Sequence, residues 1–114
     1  MSRDDDSVTD ILNAARIIVR FMDGMDRERF DDDARTRDAI AMRLMVIGEA
    51  AKRLSMEFRE SLPQVPWRRM TGMRDVLIHN YDQIDPQAVW DAATEHIPEL
   101  IRILEALPPP PDDA

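Results

Sequence analysis

The chain has 114 residues and no cysteine, which is enough for one domain with its own core and excludes disulfides and thiolate zinc sites. Its net charge of -8 argues against a broad nucleic-acid-binding surface. No apolar run approaches the roughly 18 residues of a membrane span, and the first ten residues are too acidic and polar for a signal peptide. We therefore expect a cytoplasmic protein with no membrane association.

Basic residues are concentrated in the middle of the chain. Residues 43–81 carry a net charge of +3, whereas residues 1–42 carry -4 and residues 82–114 carry -7. The middle segment could provide a local positive surface. The alternative is that its charges lie on the solvated faces of long helices.

Few glycines and apolar residues at spacings of three and four predict an all-α chain. The first helix is predicted over residues 7–22, with Ser7 or Thr9 as its N-cap and Gly24 after its end. Residues 25–36 follow as a polar, acidic connection. Its aspartates at positions 31–33 can favour the positive end of the next helix.

The second predicted helix is the longest and covers residues 34–61. Its apolar seam advances in steps of four and three, which is typical of near-antiparallel packing in a bundle. A second apolar row contains Gly48, which would allow a neighbouring helix to approach closely, at a propensity cost of about 1 kcal/mol relative to alanine. The seam residues are Ile40, Leu44, Ile47, Ala51, Leu54 and Phe58.

A third helix is predicted from Pro66-Trp67 to about His79, and a fourth begins at Asp85-Pro86 and is kinked near Pro98, which lacks an amide donor. Short connections then predict an up-and-down antiparallel bundle of four main helices. We expect residues 1–107 to form this single domain. The proline-rich, acidic residues 108–114 are expected to form a disordered tail.

The stretch GMRDVLIHNYDQID contains the candidate chemistry, Arg74, His79 and Tyr81. Histidine can take and give a proton near neutral pH. Arginine can hold a phosphate through two parallel hydrogen bonds and stabilise developing charge. Tyr81 offers a hydroxyl for binding or modification. These residue types suit metal-free cleavage of a phosphodiester. The alternative, which the spacing alone favours, is an ion pair at Arg74, a helix-terminal histidine at position 79 and a packed aromatic at position 81.

Helix geometry limits how this motif can act. Residues five apart on an α-helix differ by roughly 140° in direction and roughly 7.5 Å along the axis, so Arg74 and His79 do not share a face. The two side chains can meet at one phosphate only if the helix unwinds near His79 or if a second protomer completes the site. We therefore expect a composite site at a dimer interface.

Over nearly its whole length, and most strongly over residues 42–104, the chain resembles the HepT-like toxins of the HEPN superfamily. The resemblance is carried by VIGEAAKRL, by the Pro66-Trp67 start, by GMRDVLIHNYDQID and by AVWDAATEHIPELIRIL. The family's Arg-x4-His-x-Tyr motif corresponds here to Arg74, His79 and Tyr81. The polar residue that commonly follows the arginine corresponds to Asp75.

The resemblance implies a homodimeric, metal-independent endoribonuclease of a toxin–antitoxin system that acts on RNA without a cofactor. In that reading His79 is the general base or acid, Arg74 stabilises the phosphate in the transition state, and Asp75 orients its neighbours. The resemblance also implies a MntA-type nucleotidyltransferase antitoxin that transfers AMP onto Tyr81.

For other residues, the sequence indicates a functional role less directly. Glu49 could support the site by pairing with Arg74 or could form an ordinary interhelical ion pair, and Arg68 and Arg69 could contact RNA or lie on a solvated face. No metal-binding motif is evident, and His96 is expected to be a surface residue. The functional alternative to a nuclease is a non-catalytic helical module that binds a partner or a nucleotide.

Overall fold

A computed structural model describes residues 3–80, 82 and 84–108 of the chain. Within these residues the fold is all-α, which confirms the predicted fold class. The helices are α1 (Arg3–Phe21), α2 (Arg27–Asp32), α3 (Ala34–Arg53), α4 (Met56–Ser61), α5 (Trp67–His79), α6 (Pro86–Asp91) and α7 (Ile97–Glu105), with a π-helical segment, Ala92–His96, joining the last two.

Helix α3 is the centre of the bundle. It packs against α1 on one side and α5 on the other, while α7 closes the bundle against α1. The predicted seam of α3 is buried from Ile40 to Leu54, and every one of these seam side chains is at most 6% exposed. In the described part of the chain, no helix is both long enough and apolar enough to cross a membrane.

Helix α1 begins earlier than predicted. The first helix starts at Arg3, and Ser7, predicted as a possible cap, lies inside the helix at 1% exposure. Three aspartates in its first turn, residues 4–6, favour this earlier start because negative charge is stabilised at a helix N-terminus. The predicted start at Ser7 or Thr9 is therefore wrong, whereas the end at Phe21 agrees within one residue.

The prediction of one helix over residues 34–61 is also wrong. Helix α3 ends at Arg53, because Leu54 has an extended backbone with ψ at 143°, and Ser55 then caps α4 by accepting a hydrogen bond from the amide of Phe58. Asp4 of α1 accepts bonds from both the amide and the hydroxyl of Ser55, at 2.8 and 2.7 Å. A contact with the far end of the chain thus fixes this break.

The acidic connection contains a short helix that the sequence did not reveal. Phe30 in α2 is fully buried and packs edge-on against Trp90 of α6, with ring centroids 5.1 Å apart. The guanidinium of Arg27 lies over the same indole, 5.6 Å from its centroid. The aspartates at positions 31–33 were predicted to favour the N-terminus of the next helix. Asp33 does so directly, because its carboxylate accepts a hydrogen bond from the Thr36 amide and caps α3.

Helix α5 begins at Trp67 and ends at His79, as predicted. The indole N–H of Trp67 donates to the carbonyls of Arg59 and Leu62, at 3.1 and 3.2 Å, and its ring packs edge-on against Phe58. These contacts fasten the start of α5 to α4, so the direction of α5 is fixed before the chain reaches the motif.

The irregularity expected near Pro98 takes the form of a π-helical segment rather than a break. The amide of Ile97 donates to the carbonyl of Ala92, five residues earlier, and Pro98 lies in the first turn of α7. An α-helical turn here would place the proline ring against the carbonyl of Thr94, so a wider turn accommodates it. The predicted cap at Asp85 is present and accepts from the amide of Gln87.

Candidate functional site

Helices α3 and α5 cross in close contact at Gly48. A Cβ atom at this position would lie 2.4 Å from Cβ of Arg74 and 2.9 Å from the carbonyl oxygen of Met70. A larger residue would therefore push α5 away from α3. The predicted close approach at Gly48 is correct, and its partner is the motif arginine itself.

Arg74 lies at this crossing with its guanidinium held by two carboxylates. Its Nη2 is 2.8 Å from Oε2 of Glu49, and its Nη1 donates to Oδ1 of Asp75 at 3.0 Å. The side chain is only 22% exposed, and its Nε is buried without a hydrogen-bond partner among the described residues. One N–H on each terminal nitrogen remains after these two bonds, because a guanidinium has five N–H donors.

Lys52 is a fourth member of this cluster and was not identified from the sequence. Its Nζ donates to Oδ1 of Asp75 at 2.9 Å, so Lys52 and Arg74 share one carboxylate oxygen. The hydrogen bond from Lys52, followed by that from Arg74, lowers the pKa of Asp75. The spacing of Glu49 and Lys52, three residues apart, places both on one side of α3, but it does not show that this side faces α5.

His79 is the last residue of α5 and is exposed. The helix does not unwind before it: the amide of Asn80, the C-cap, donates to the carbonyl of Val76 at 2.8 Å. Arg74 and His79 therefore stay on different faces, separated by roughly 140° and roughly 7.5 Å along the axis. Unwinding of the helix near His79, one of the two ways in which they could meet at one phosphate, is therefore not seen in the described residues.

An apolar surface adjoins the cluster. It consists of Met42, Met45, Val46 and Ile78, and we call it the Met42 face; Met42 is 54% exposed and Ile78 is 39% exposed. Two shallow depressions on it share Met45 and Ile78, and one of them also includes Glu49. Met45 and Val46 are half-buried, so Met42 and Ile78 provide most of the exposed apolar area of this face.

The remaining predicted site residues are more dispersed. Tyr81 and residues 109–114 lie outside the described residues. Arg68 and Arg69 are exposed in the first turn of α5 and lie about 15 Å from His79 along the helix axis. His96 is half-buried in the π-helical segment and lines a cavity, so its expected surface position is wrong. Among the described residues, no three or more histidine and acidic side chains are grouped as a metal site.

Together these features describe a class of small all-helical proteins in which the arginine and histidine of an Arg-x4-His-x-Tyr sequence motif lie in the C-terminal half of one bundle helix. The family model described as ribonuclease HepT-like matches residues 11–107. The chain belongs to the ribonuclease HepT-like family.

Individual relatives agree with this assignment. The chain is 38% identical over 95 residues to "Probable ribonuclease HepT" of Thermococcus cleftensis, covering 83% of this chain and 86% of the relative. It is 35% identical over 96 residues to "Putative RNase MJ1380" of Methanocaldococcus jannaschii, covering 84% and 88%. A third relative is "Putative RNase TTE0752" of Caldanaerobacter subterraneus subsp. tengcongensis, 38% identical over 90 residues with 79% and 80% covered. No solved structure matches the chain.

Proposed function

We propose that this protein is a metal-independent endoribonuclease and the toxin of a toxin–antitoxin system. The observation that carries the proposal is the position of Arg74, which two carboxylates hold beside an exposed apolar face in a family named for ribonucleases. Each part of the site contributes one function to the cleavage of RNA.

Arg74 would bind and stabilise the phosphate. Because Glu49 and Asp75 hold the guanidinium in one orientation, little reorganisation is needed when charge builds on the phosphate oxygens. The two remaining N–H groups of its terminal nitrogens would provide the parallel donors that a phosphate accepts. Glu49 and Asp75 are positioning residues in this scheme.

His79 would move the protons. The ribose 2′-oxygen attacks the adjacent phosphorus while its proton passes to a base, and the bond to the 5′-oxygen breaks as that oxygen gains a proton. The products are a cyclic 2′,3′-phosphate and a 5′-hydroxyl, so RNA is cleaved and DNA is not. An exposed imidazole at a helix end is accessible to an RNA strand and can take either proton role.

A homodimer would complete the site. We propose that two copies meet through the Met42 face, which brings His79 of one copy toward Arg74 of its partner. The intact helix up to His79 supports this arrangement, since one chain cannot turn both side chains toward one phosphate. Two copies of the segment 43–81 would also add their positive charge in the cleft and offset the acidic surface for an RNA substrate. Arg68 and Arg69 would then contact only a strand that extends beyond the motif.

Tyr81 would be the point of control. We propose that a MntA-like nucleotidyltransferase antitoxin transfers AMP onto its hydroxyl, two residues after His79. The added phosphate and nucleotide would repel the RNA backbone and fill the cleft. Incubation with such an enzyme and ATP should add AMP to the wild type and none to Tyr81→Phe, as read by intact mass.

The nuclease proposal can be tested by expressing the wild type, Arg74→Ala, His79→Ala and His96→Ala in bacteria and following growth and RNA integrity. Loss of a proton-transfer group costs about 10²- to 10⁴-fold in rate, so His79→Ala should abolish RNA fragmentation. The matched control, His96→Ala, should remain toxic because His96 lies on the π-helical segment, away from the motif. Circular dichroism establishes that each variant is folded.

Absence of RNA cleavage by the folded wild type, in cells and with purified RNA, would contradict the nuclease proposal. The cluster around Arg74 would then be a structural ion-pair network, and a non-catalytic interaction module would explain it.

A further inference from the structure

A cavity of about 280 Å³ lies between α3, the start of α5 and the π-helical segment with α7. Its floor consists of core side chains, Leu44, Ile47, Ile97 and Leu100, each at most 6% exposed. Cavities of this size and lining are typical of sites for small apolar ligands.

The walls of this cavity can adapt to a ligand. Met70 and Met73 of α5 line one side, and methionine side chains adjust their shape at low energetic cost. Ala92 and His96 line the other side, and both belong to the π-helical segment. Single π-helical turns are frequently found at functional sites.

The mouth of the cavity carries one uncompensated positive charge. Arg69 lines it, is exposed, and makes no ion pair or side-chain hydrogen bond within the described ranges. The acidic residue at the mouth, Glu99, does not neutralise it, because both carboxylate oxygens accept from Arg102. That pairing lowers the pKa of Glu99 and keeps the carboxylate ionised and engaged.

We propose that this cavity binds a small amphiphilic carboxylate, whose hydrocarbon body fills the apolar floor while its head group pairs with Arg69. A concave site with a core floor suits such a ligand better than a protein partner, because none of the large apolar side chains that are exposed in the described residues lines it. An anion is favoured over a cation because the only free charge at the mouth within the described ranges is that of Arg69.

Isothermal titration calorimetry of the full chain with hexanoate, octanoate and decanoate tests this proposal without reference to RNA cleavage. We expect saturable binding of one carboxylate per chain and an affinity that stops rising once the hydrocarbon fills the cavity. Arg69→Gln should weaken octanoate binding by about tenfold or more, since it removes a charge-assisted hydrogen bond. Arg68→Gln, at the exposed neighbouring position outside the lining, should change it less than about twofold.

Three results would overturn the proposal. The first is no saturable binding of any of these acids. The second is an equal affinity for octanoate in the Arg69→Gln and Arg68→Gln variants, or an equal affinity of the wild type for octanol and octanoate. Either result would show that pairing of an anionic head group with Arg69 does not contribute to binding. The third is a fall in the molecular mass of an oligomer when octanoate is added, as measured by light scattering. This result would show that the cavity is part of a subunit interface.

Discussion

At the level of single residues, two carboxylates, those of Glu49 and Asp75, hold the guanidinium of Arg74 in one orientation. Its charge and that of Lys52 are balanced by Glu49 and Asp75, so the cluster as a whole is neutral in one chain. Such exposed or half-exposed pairs add little to folding stability. Their effect is to fix the direction of the guanidinium that the proposed reaction requires.

Lys52→Met should raise the pKa of Asp75 toward its ordinary value, because the hydrogen bond from Lys52 is the largest cause of its lowered pKa. A carboxylate whose pKa is lower in the folded than in the unfolded chain stabilises the fold at neutral pH, and this contribution disappears as the pH falls through the lowered folded pKa. The free energy of unfolding of the variant should therefore depend less on pH than that of the wild type in this acidic range. Carbon-detected NMR of the side-chain carboxyl groups measures the pKa directly.

The matched control for this experiment is Arg53→Met, which removes a neighbouring cation that pairs with Asp10 instead. It should leave the pKa of Asp75 unchanged. The same pKa of Asp75 in the Lys52→Met and Arg53→Met variants would contradict the role assigned to Lys52.

At the level of helices, the crossing of α3 and α5 is set by Gly48. Alanine is the better helix former by about 1 kcal/mol, but at Gly48 its Cβ would meet backbone and side-chain atoms of α5. Gly72, inside α5, has open space where the Cβ of an alanine would lie, and it therefore provides the matched control.

Gly48→Ala should lower the free energy of unfolding by about 1 to 3 kcal/mol, because α5 must move to relieve the overlap. Gly72→Ala should raise it by about 0.5 to 1 kcal/mol, because it gains helix propensity at no steric cost. Urea denaturation of the two variants and the wild type gives both values. Stabilisation by Gly48→Ala would show that the helices are not in close contact there.

The helices with strong apolar periodicity were predictable, whereas their ends depended on distant contacts. The break after Leu54 is fixed by Asp4, 51 residues away from Ser55, and α2 is fixed by the packing of Phe30 on Trp90. Local patterns contain no information about such pairs. The same reason explains why Lys52 was missed: its partner Asp75 is 23 residues away and becomes a neighbour only through the helix crossing.

At the level of the whole molecule, the two described motif residues lie beside the Met42 face. Glu49, which pairs with Arg74, lines one of its depressions, and Ile78 of that face directly precedes His79. The sequence led to the motif through a family resemblance, and to the hypothesis of a second protomer through helix geometry. It did not identify the surface that would contact that protomer, since methionines on α3 are equally consistent with a buried core. In the folded chain Met42 is 54% exposed, whereas Met45 is half-buried and packs against the core.

Met42→Asp should dissociate the proposed homodimer by placing a charge in an apolar contact. Met56→Asp is the matched control, because Met56 is more exposed, at 70%, and lies on α4 away from the Met42 face. Sedimentation velocity should show monomers for the first variant and dimers for the second and the wild type. A wild type that is monomeric at all concentrations would remove the basis for a composite site.

The most direct test of the central claim is complementation between Arg74→Ala and His79→Ala. If each site takes Arg74 from one protomer and His79 from its partner, a mixed dimer contains one complete site. Random exchange of equal amounts should then restore about a quarter of wild-type RNA cleavage, since half of the dimers are mixed and each has one of two sites. If the mixture stays inactive although mass spectrometry confirms exchanged dimers, the two residues do not act across the interface, and the composite site is wrong.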